Sequence, residues 1–117
     1  MNLAKAMRLC RAFPGATEEI KWGDVLVYCV GGRMFAATDN TDAPRRISFK
    51  VDDDIFLGLT GRPGIVPAPY LARARWVRVD DLATLSDAEA AQLLACAYEL
   101  VFARLTKKLQ REIGAAS

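Results

Sequence analysis

Residues 61–79 contain the side chains with the clearest chemical potential in this chain. Guanidinium groups pair with phosphate oxygens, and aromatic rings stack on nucleobases. The segment combines both residue types and has no acidic residue, so its composition predicts contacts to a nucleic acid, with arginines on the phosphates. Its four arginines and two aromatic residues are Arg62, Arg73, Arg75, Arg78, Tyr70 and Trp76.

The two aromatic residues also have a structural explanation. Large rings are common core anchors, and we favour this role for Tyr70 and Trp76. Stacking on bases, or support of the neighbouring arginines, stays open as the alternative. For the arginines themselves, ligand contact and an ordinary surface role are equally compatible with the sequence.

The chain lacks the residues for several kinds of catalysis. It has no histidine, so neither a Ser-His nor a Cys-His nucleophile pair can form. Residues 58–64 superficially resemble a phosphate loop but lack its GK[ST] end. Cys10, Cys29 and Cys96 are far apart without a CxxC pair, so we expect buried, reduced thiols rather than a zinc site or disulfides. These features predict a protein that is not an enzyme and uses no cofactor or metal.

Composition and charge indicate one ordinary globular domain. The chain has 117 residues, of which 52% are hydrophobic, and a formal net charge of +2. Residues 1–60 hold eight basic and eight acidic residues, residues 61–79 four and none, and residues 80–117 four and six. The positive excess therefore comes from the central segment. We expect neither a signal peptide nor a membrane span, and a cytoplasmic location.

Two elements should precede this segment. Apolar residues at helical spacing predict an amphipathic helix over residues 2–12, which Pro14-Gly15 ends. After a turn through residues 16–21, two apolar-rich runs flank Gly31-Gly32. That pair can adopt the positive φ angles of a primed turn, so residues 25–38 are predicted to form a hairpin.

A third strand and a second helix should follow. Residues 45–51 alternate apolar and polar side chains, as expected of a strand with one buried face. The acidic residues 52–54 favour a helix start through capping and the helix dipole, and Gly61 should end that helix. A divalent-metal site is disfavoured, because three adjacent carboxylates on a regular element cannot face one point.

The central segment should be extended, because its three prolines exclude a helix. From Tyr70 to Val79 a loose alternation predicts a strand with Val77 and Val79 on one side and Trp76 on the other. These elements predict an α+β fold, in which helices cover one face of an antiparallel sheet.

A capping box at residues 86–89 opens the longest helix, which should continue past Leu109 to a stop at Gly114. The basic residues near its end suit the helix dipole: Arg104, Lys107, Lys108 and Arg111.

Several motifs resemble the MmcQ/YjbR-like family of small bacterial proteins. They are LCRAFPG (residues 9–15), Trp22-Gly23, GGRMFA from Gly31, Ser48-Phe49-Lys50, PAPYLARARWVRV (residues 67–79) and AYELV (residues 97–101). The resemblance implies one domain over residues 1–117, with secretion-chaperone-like topology α-β(3)-α-β(2)-α. It also implies DNA binding through paired wing-like loops, without enzymatic activity or cofactor. The family's usual Ser and Lys are replaced here by Ala97 and Arg33, and neither change removes a charge.

Two functional hypotheses follow. In the first, the basic segment binds double-stranded DNA with little sequence preference, and four further basic residues extend the surface: Arg33, Arg45, Arg46 and Lys50. In the second, the protein is an adaptor, and a strand edge or groove captures a peptide or an acidic partner.

Overall fold

A computed structural model describes residues 1–23, 25–39, 45–69 and 71–116. Within these ranges the chain forms six strands and four α-helices. In chain order they are α1 (Leu3–Ala12), β1 (Ala16–Lys21), β2 (Val25–Val30), β3 (Arg33–Asp39), β4 (Ile47–Lys50), α2 (Asp53–Thr60), β5 (Ile65–Pro67), β6 (Trp76–Val79), α3 (Asp87–Phe102) and α4 (Lys107–Ala116). Short 3-10 helices at Ala72–Ala74 and Leu82–Thr84 flank β6.

All six strands belong to one antiparallel sheet, in the order β1-β2-β3-β4-β6-β5. Ile47 and Phe49 of β4 pair with Val79 and Val77 of β6, and all four side chains are buried in the main core. That core lies between the sheet and the helices, so the expected fold class, a two-layer α+β domain, is confirmed. The other sheet face, called the open face below, carries Ser48, Lys50, Trp76 and Arg78.

An aromatic cluster joins the helices to the sheet. The ring of Tyr98 in α3 stacks on the ring of Phe13, with 4.8 Å between the ring centres. It also contacts the ring of Phe35 of β3 edge-on, with 5.5 Å between the ring centres. Its hydroxyl donates a hydrogen bond of 2.5 Å to the Pro14 carbonyl. One side chain thereby ties the end of α1, the hairpin and α3 together, and its buried polar atom is satisfied.

The predicted hairpin over residues 25–38 is confirmed. β2 and β3 pair around Gly31 and Gly32, whose φ angles are +58° and +80°. The two glycines differ in their surroundings. A Cβ atom on Gly31 would lie 2.7 Å from Leu105 Cδ2 and 2.9 Å from Leu109 Cδ2, whereas one on Gly32 would meet no atom within 4 Å.

Other local predictions are also confirmed. Ile47, Phe49 and Val51 point into the core, as the alternation of the third strand requires. The capping box forms, because the Ser86 hydroxyl accepts a hydrogen bond of 3.1 Å from the Glu89 amide. In the described residues, no helix combines the length and apolarity needed to cross a bilayer.

Two element assignments were wrong. Residues 16–21 form the edge strand β1 rather than a turn, and its pairing with β2 compensates for a polar sequence without alternation. The expected long helix is broken between Phe102 and Lys107, where the Thr106 hydroxyl accepts from the Leu109 amide at 3.2 Å and helps begin α4. Gly114 therefore lies within α4 instead of ending a helix.

The start of the last strand and the N-terminal cap of α2 also differ from expectation. The strand predicted from Tyr70 covers only Trp76–Val79, because a 3-10 helix and Arg75, at a left-handed φ of 60°, precede it. Asp52 occupies the N-cap position of α2, but its side chain makes no capping hydrogen bond. The carboxylates of Asp53 and Asp54 in the first turn still complement the helix dipole.

We predict that Gly31→Ala destabilises the fold more than Gly32→Ala. Both variants must hold a Cβ at positive φ, which costs about 1 kcal/mol or more. Gly31→Ala must also displace Leu105 and Leu109, and overpacking of this kind costs roughly 1–3 kcal/mol. Urea denaturation of both variants measures the difference, and equal losses would contradict the proposed close approach.

We further predict that one thiol reacts rapidly with a thiol-specific reagent in the native protein. Cys10 and Cys29 are buried, and burial raises the pKa of Cys10 to about 12, so its reactive thiolate is scarce. Contrary to expectation, Cys96 is only partly buried; although burial and Asp52 raise its pKa as well, its exposure should make it the fastest of the three thiols and account for the fast phase. Cys96→Ala should abolish that phase, while denaturation should expose all three thiols of the unmodified chain. A fast phase that survives in Cys96→Ala would refute the assignment.

Candidate nucleic-acid interface

Arg62 forms an ion pair with Glu89 in the first turn of α3. Its Nη1 lies 2.8 Å from Glu89 Oε2 and its Nη2 lies 3.1 Å from Glu89 Oε1, and Nη2 also donates to the Thr84 carbonyl. The hydrogen bonds from Arg62 lower the pKa of the Glu89 carboxyl. This two-pronged contact fixes the guanidinium on the chain itself and leaves it little capacity for phosphate.

Arg75 and Arg78 also face acidic partners. Arg75 Nε lies 3.1 Å from Asp53 Oδ1, and its guanidinium lies over the Phe56 ring at 5.3 Å from the ring centre. Arg78 binds Asp80 with two hydrogen bonds, of 2.7 and 3.1 Å. Three of the four arginines thus pair with acids elsewhere in the chain, so most of the positive charge of the acid-free segment is offset in the folded protein.

The remaining residues of the central segment take different positions. Arg73 is exposed in the 3-10 helix and has no hydrogen bond or ion pair among the described residues. Trp76 is only 4% exposed and packs on the open face, in agreement with the structural explanation of its ring. Tyr70, the other candidate aromatic residue, lies outside the described residues.

Three other basic residues converge on one cavity, called the cationic cavity below. Arg33 at the start of β3, Lys50 at the end of β4 and Arg104 between α3 and α4 line its walls. Its volume is about 150 Å³. None of its described lining residues is acidic, and the rest of the lining is Met34, Ala74, Trp76 and Val101.

Lys50 is held in place within this cavity. Its ammonium donates a hydrogen bond of 2.6 Å to the Ala74 carbonyl. Burial is the main cause that lowers the pKa of Lys50, and the charges of Arg104 and Arg75 lower it further, while Asp53 and Asp52 oppose them. The repulsion from the two arginines is the part that a bound anion would offset.

Sequence reasoning missed Arg104. Because the apolar residues around it continue at helical spacing, Arg104 was interpreted as a partner of the helix dipole. The structure ends α3 at Phe102, so Arg104 lies in the connection to α4 and reaches the cavity. Thr106, a preferred N-cap residue within the expected helix, was the available signal for the break.

The surroundings of the cationic cavity carry both signs of charge. Arg45 and Arg46 are exposed just before β4 and do not line it. On another side, Lys50 and Arg104 border a second cavity of about 290 Å³ that they share with the acidic residues 52–54. The positive field is therefore confined to a short length of surface.

A second feature of the open face is an apolar groove of about 480 Å³. Trp22 at its rim is 73% exposed and adopts a φ of 55°, which is rare for a bulky residue. We call this the open-face groove; its walls include Val25, Met34, Ala37, Ala68 and Leu71.

Two solved structures of other proteins are similar to this one. The crystal structure of the Deinococcus radiodurans protein DR2400, described with the domain DUF419, is 31% identical in sequence, with a TM-score of 0.84 over 97% of this chain and 88% of that one. A crystal structure from Pseudomonas syringae is 20% identical, with a TM-score of 0.69 over 86% of this chain and 99% of that one, and shares the fold. No curated protein sequence matches the chain.

The family model named YjbR matches residues 11–100. This range runs from the end of α1 through most of α3. It includes Arg33 and Lys50 of the cationic cavity, whereas Arg104 lies beyond it. Because the match covers most of the chain and the similar solved structure extends over nearly all of it, this protein is a member of the YjbR family.

Proposed function

We propose that this protein binds nucleic acid, specifically double-stranded DNA, through the cationic cavity and acts without catalysis. The observation that carries the proposal is the convergence of Arg33, Lys50 and Arg104 from three separate elements. Three cations around one cavity repel one another, and a bound anion would offset this repulsion. Phosphate oxygens accept strong, charge-assisted hydrogen bonds from guanidinium and ammonium groups.

The strength of binding should be modest. Three residues can make about three phosphate contacts, and each contributes about −0.9 to the slope of log affinity against log salt, for a total near −3. Exposed basic residues close in sequence to the cavity-lining ones, Arg45, Arg46 and Arg73, add to the attraction. The acidic residues 52–54 oppose it on one side. A dissociation constant in the non-specific range, roughly micromolar or weaker, follows from these opposing effects.

Little sequence preference is expected. Base readout requires side chains that reach base edges or stack on exposed bases. Trp76, the aromatic residue beside the cavity, is buried against the sheet and offers no free ring face for stacking. Contacts from the cavity are therefore limited to phosphate, which carries no sequence information.

The open-face groove supports a second candidate function, capture of a peptide by an adaptor. An exposed tryptophan beside an apolar cavity is typical of surfaces that bind apolar side chains. Capture at a strand edge is less favoured. β1 carries Glu18 and Glu19, and β5 has only three residues including Pro67, so both edges resist the addition of a strand.

We predict that Arg33→Ala combined with Arg104→Ala weakens binding of a fluorescent 20-mer duplex at least tenfold. Two lost phosphate contacts should reduce the magnitude of the salt slope by about 2. Both side chains are exposed, so the melting temperature should stay within a few degrees of the unmodified protein. Fluorescence anisotropy at several salt concentrations provides the affinities and the slope.

A matched control removes the same charge elsewhere. Arg8 of α1 and Lys21 of β1 do not line the cationic cavity, so Arg8→Ala combined with Lys21→Ala should change affinity little. Equal weakening by both double variants would show that net charge, not the cavity, attracts DNA. If the unmodified protein fails to bind at low salt, the DNA proposal is wrong and the adaptor function becomes the better candidate.

A further inference from the structure

We propose that the cationic cavity selects the terminal phosphate of a nucleic-acid strand, a phosphomonoester, over the phosphodiesters within the strand. This inference rests on the proposed function, since it specifies which part of a nucleic acid the cavity accepts. It makes the protein a binder of strand ends rather than of continuous duplex.

The size of the cavity favours a single phosphate. Its volume is about 150 Å³, which corresponds to roughly five water molecules at about 30 Å³ each. A phosphate group has five non-hydrogen atoms and fits such a space once its water is displaced. Because the cavity is open to solvent and its Arg33 and Arg104 are exposed, size limits how many phosphate groups it holds, and charge must distinguish a strand end from a phosphate within the strand.

The charge of the cavity favours a doubly charged group. A phosphomonoester carries about −1.5 to −2 charges near neutral pH, whereas each backbone phosphodiester carries one. Three cationic side chains line the cavity, and none of its described lining residues is acidic. Arg75 lies close to Lys50 but is already paired with Asp53, so the three cations of the lining are those that gain most from the second negative charge.

The neighbouring carboxylates disfavour a continuing strand. Lys50 and Arg104 separate the cationic cavity from the cavity that the acidic residues 52–54 line. A backbone that continues in that direction would bring its next phosphates towards these carboxylates, and like charges repel. A terminal phosphate can bind the cations while the rest of its strand leads away from the acidic side.

The test compares two blunt 20-mer duplexes of one sequence, one with 5′-phosphates and one with 5′-hydroxyl groups, each carrying an internal dye. We expect about tenfold tighter binding of the phosphorylated duplex at moderate salt, because one further charge lies among the cations. A third duplex with 3′-phosphates should match the 5′-phosphorylated one, since the cavity recognises the group and not the strand polarity. Monomethyl phosphate should also raise the melting temperature of the protein more than dimethyl phosphate at equal ionic strength.

Two kinds of variant assign the preference to the cavity. Lys50→Gln removes the charge, and its shorter side chain still ends in a hydrogen-bond donor near the Ala74 carbonyl, so the variant should fold and lose the preference for phosphorylated ends. The double variant at Arg33 and Arg104 should lose it as well. The control double variant at Arg8 and Lys21 should retain it.

The possible failures are distinguishable. Equal, salt-dependent affinity for phosphorylated and unphosphorylated duplexes would overturn the strand-end inference and leave DNA binding intact. Stabilisation by monomethyl phosphate without binding of any duplex would show a phosphomonoester site whose ligand is not a nucleic acid, and would overturn both proposals. Absence of binding by every duplex and of stabilisation by either ester would also refute both.

Discussion

The close approach permitted by the missing side chain of Gly31 is the constraint on which the candidate site depends. Side-chain atoms of Leu105 and Leu109 lie 2.7 and 2.9 Å from where a Cβ atom of residue 31 would be, so the break between α3 and α4 packs directly on the turn of the hairpin. This contact brings Arg104, just before Leu105, next to Arg33, two residues after Gly31. A backbone requirement at one turn thus creates the proximity of two charges that are 71 positions apart in the sequence.

The distribution of ion pairs explains why the cavity lies where it does. Arg62, Arg75 and Arg78 each have a carboxylate of the same chain within 3.1 Å, and two of these pairs join different elements. Exposed ion pairs contribute little stability, but they neutralise the field that an external polyanion would feel. Positive charge converges without a carboxylate in the described lining at Arg33, Lys50 and Arg104, whereas the exposed Arg45, Arg46 and Arg73 do not line this cavity. Three arginines of the arginine-rich segment pair with acids of the chain, while the cations of the cavity come from three other parts of the chain.

The fold was more predictable from sequence than the site was. The hairpin, the alternation of β4 and the capping box at Ser86 each depend on a few neighbouring residues, so local rules recovered them. β1 escaped detection because its residues Ala16–Lys21 are largely polar, and its strand conformation comes from pairing with β2. The end of α3 was missed because the spacing of Val101, Leu105 and Leu109 fits an unbroken helix. The site could not be predicted because Arg62 and Glu89 are 27 positions apart, and only the folded chain shows which acid neutralises which arginine.

The two borders of the sheet have consequences for how the protein behaves in concentrated solution. β5 is short and its Pro67 lacks an amide hydrogen, so its unpaired side is a poor template for another strand. β1 is twice as long, and the charged side chains of Glu18 and Glu19 are what disfavours the addition of a strand there. Replacing both glutamates with uncharged residues would therefore start self-association at β1, beside the exposed side chains of Ile20 and Trp22.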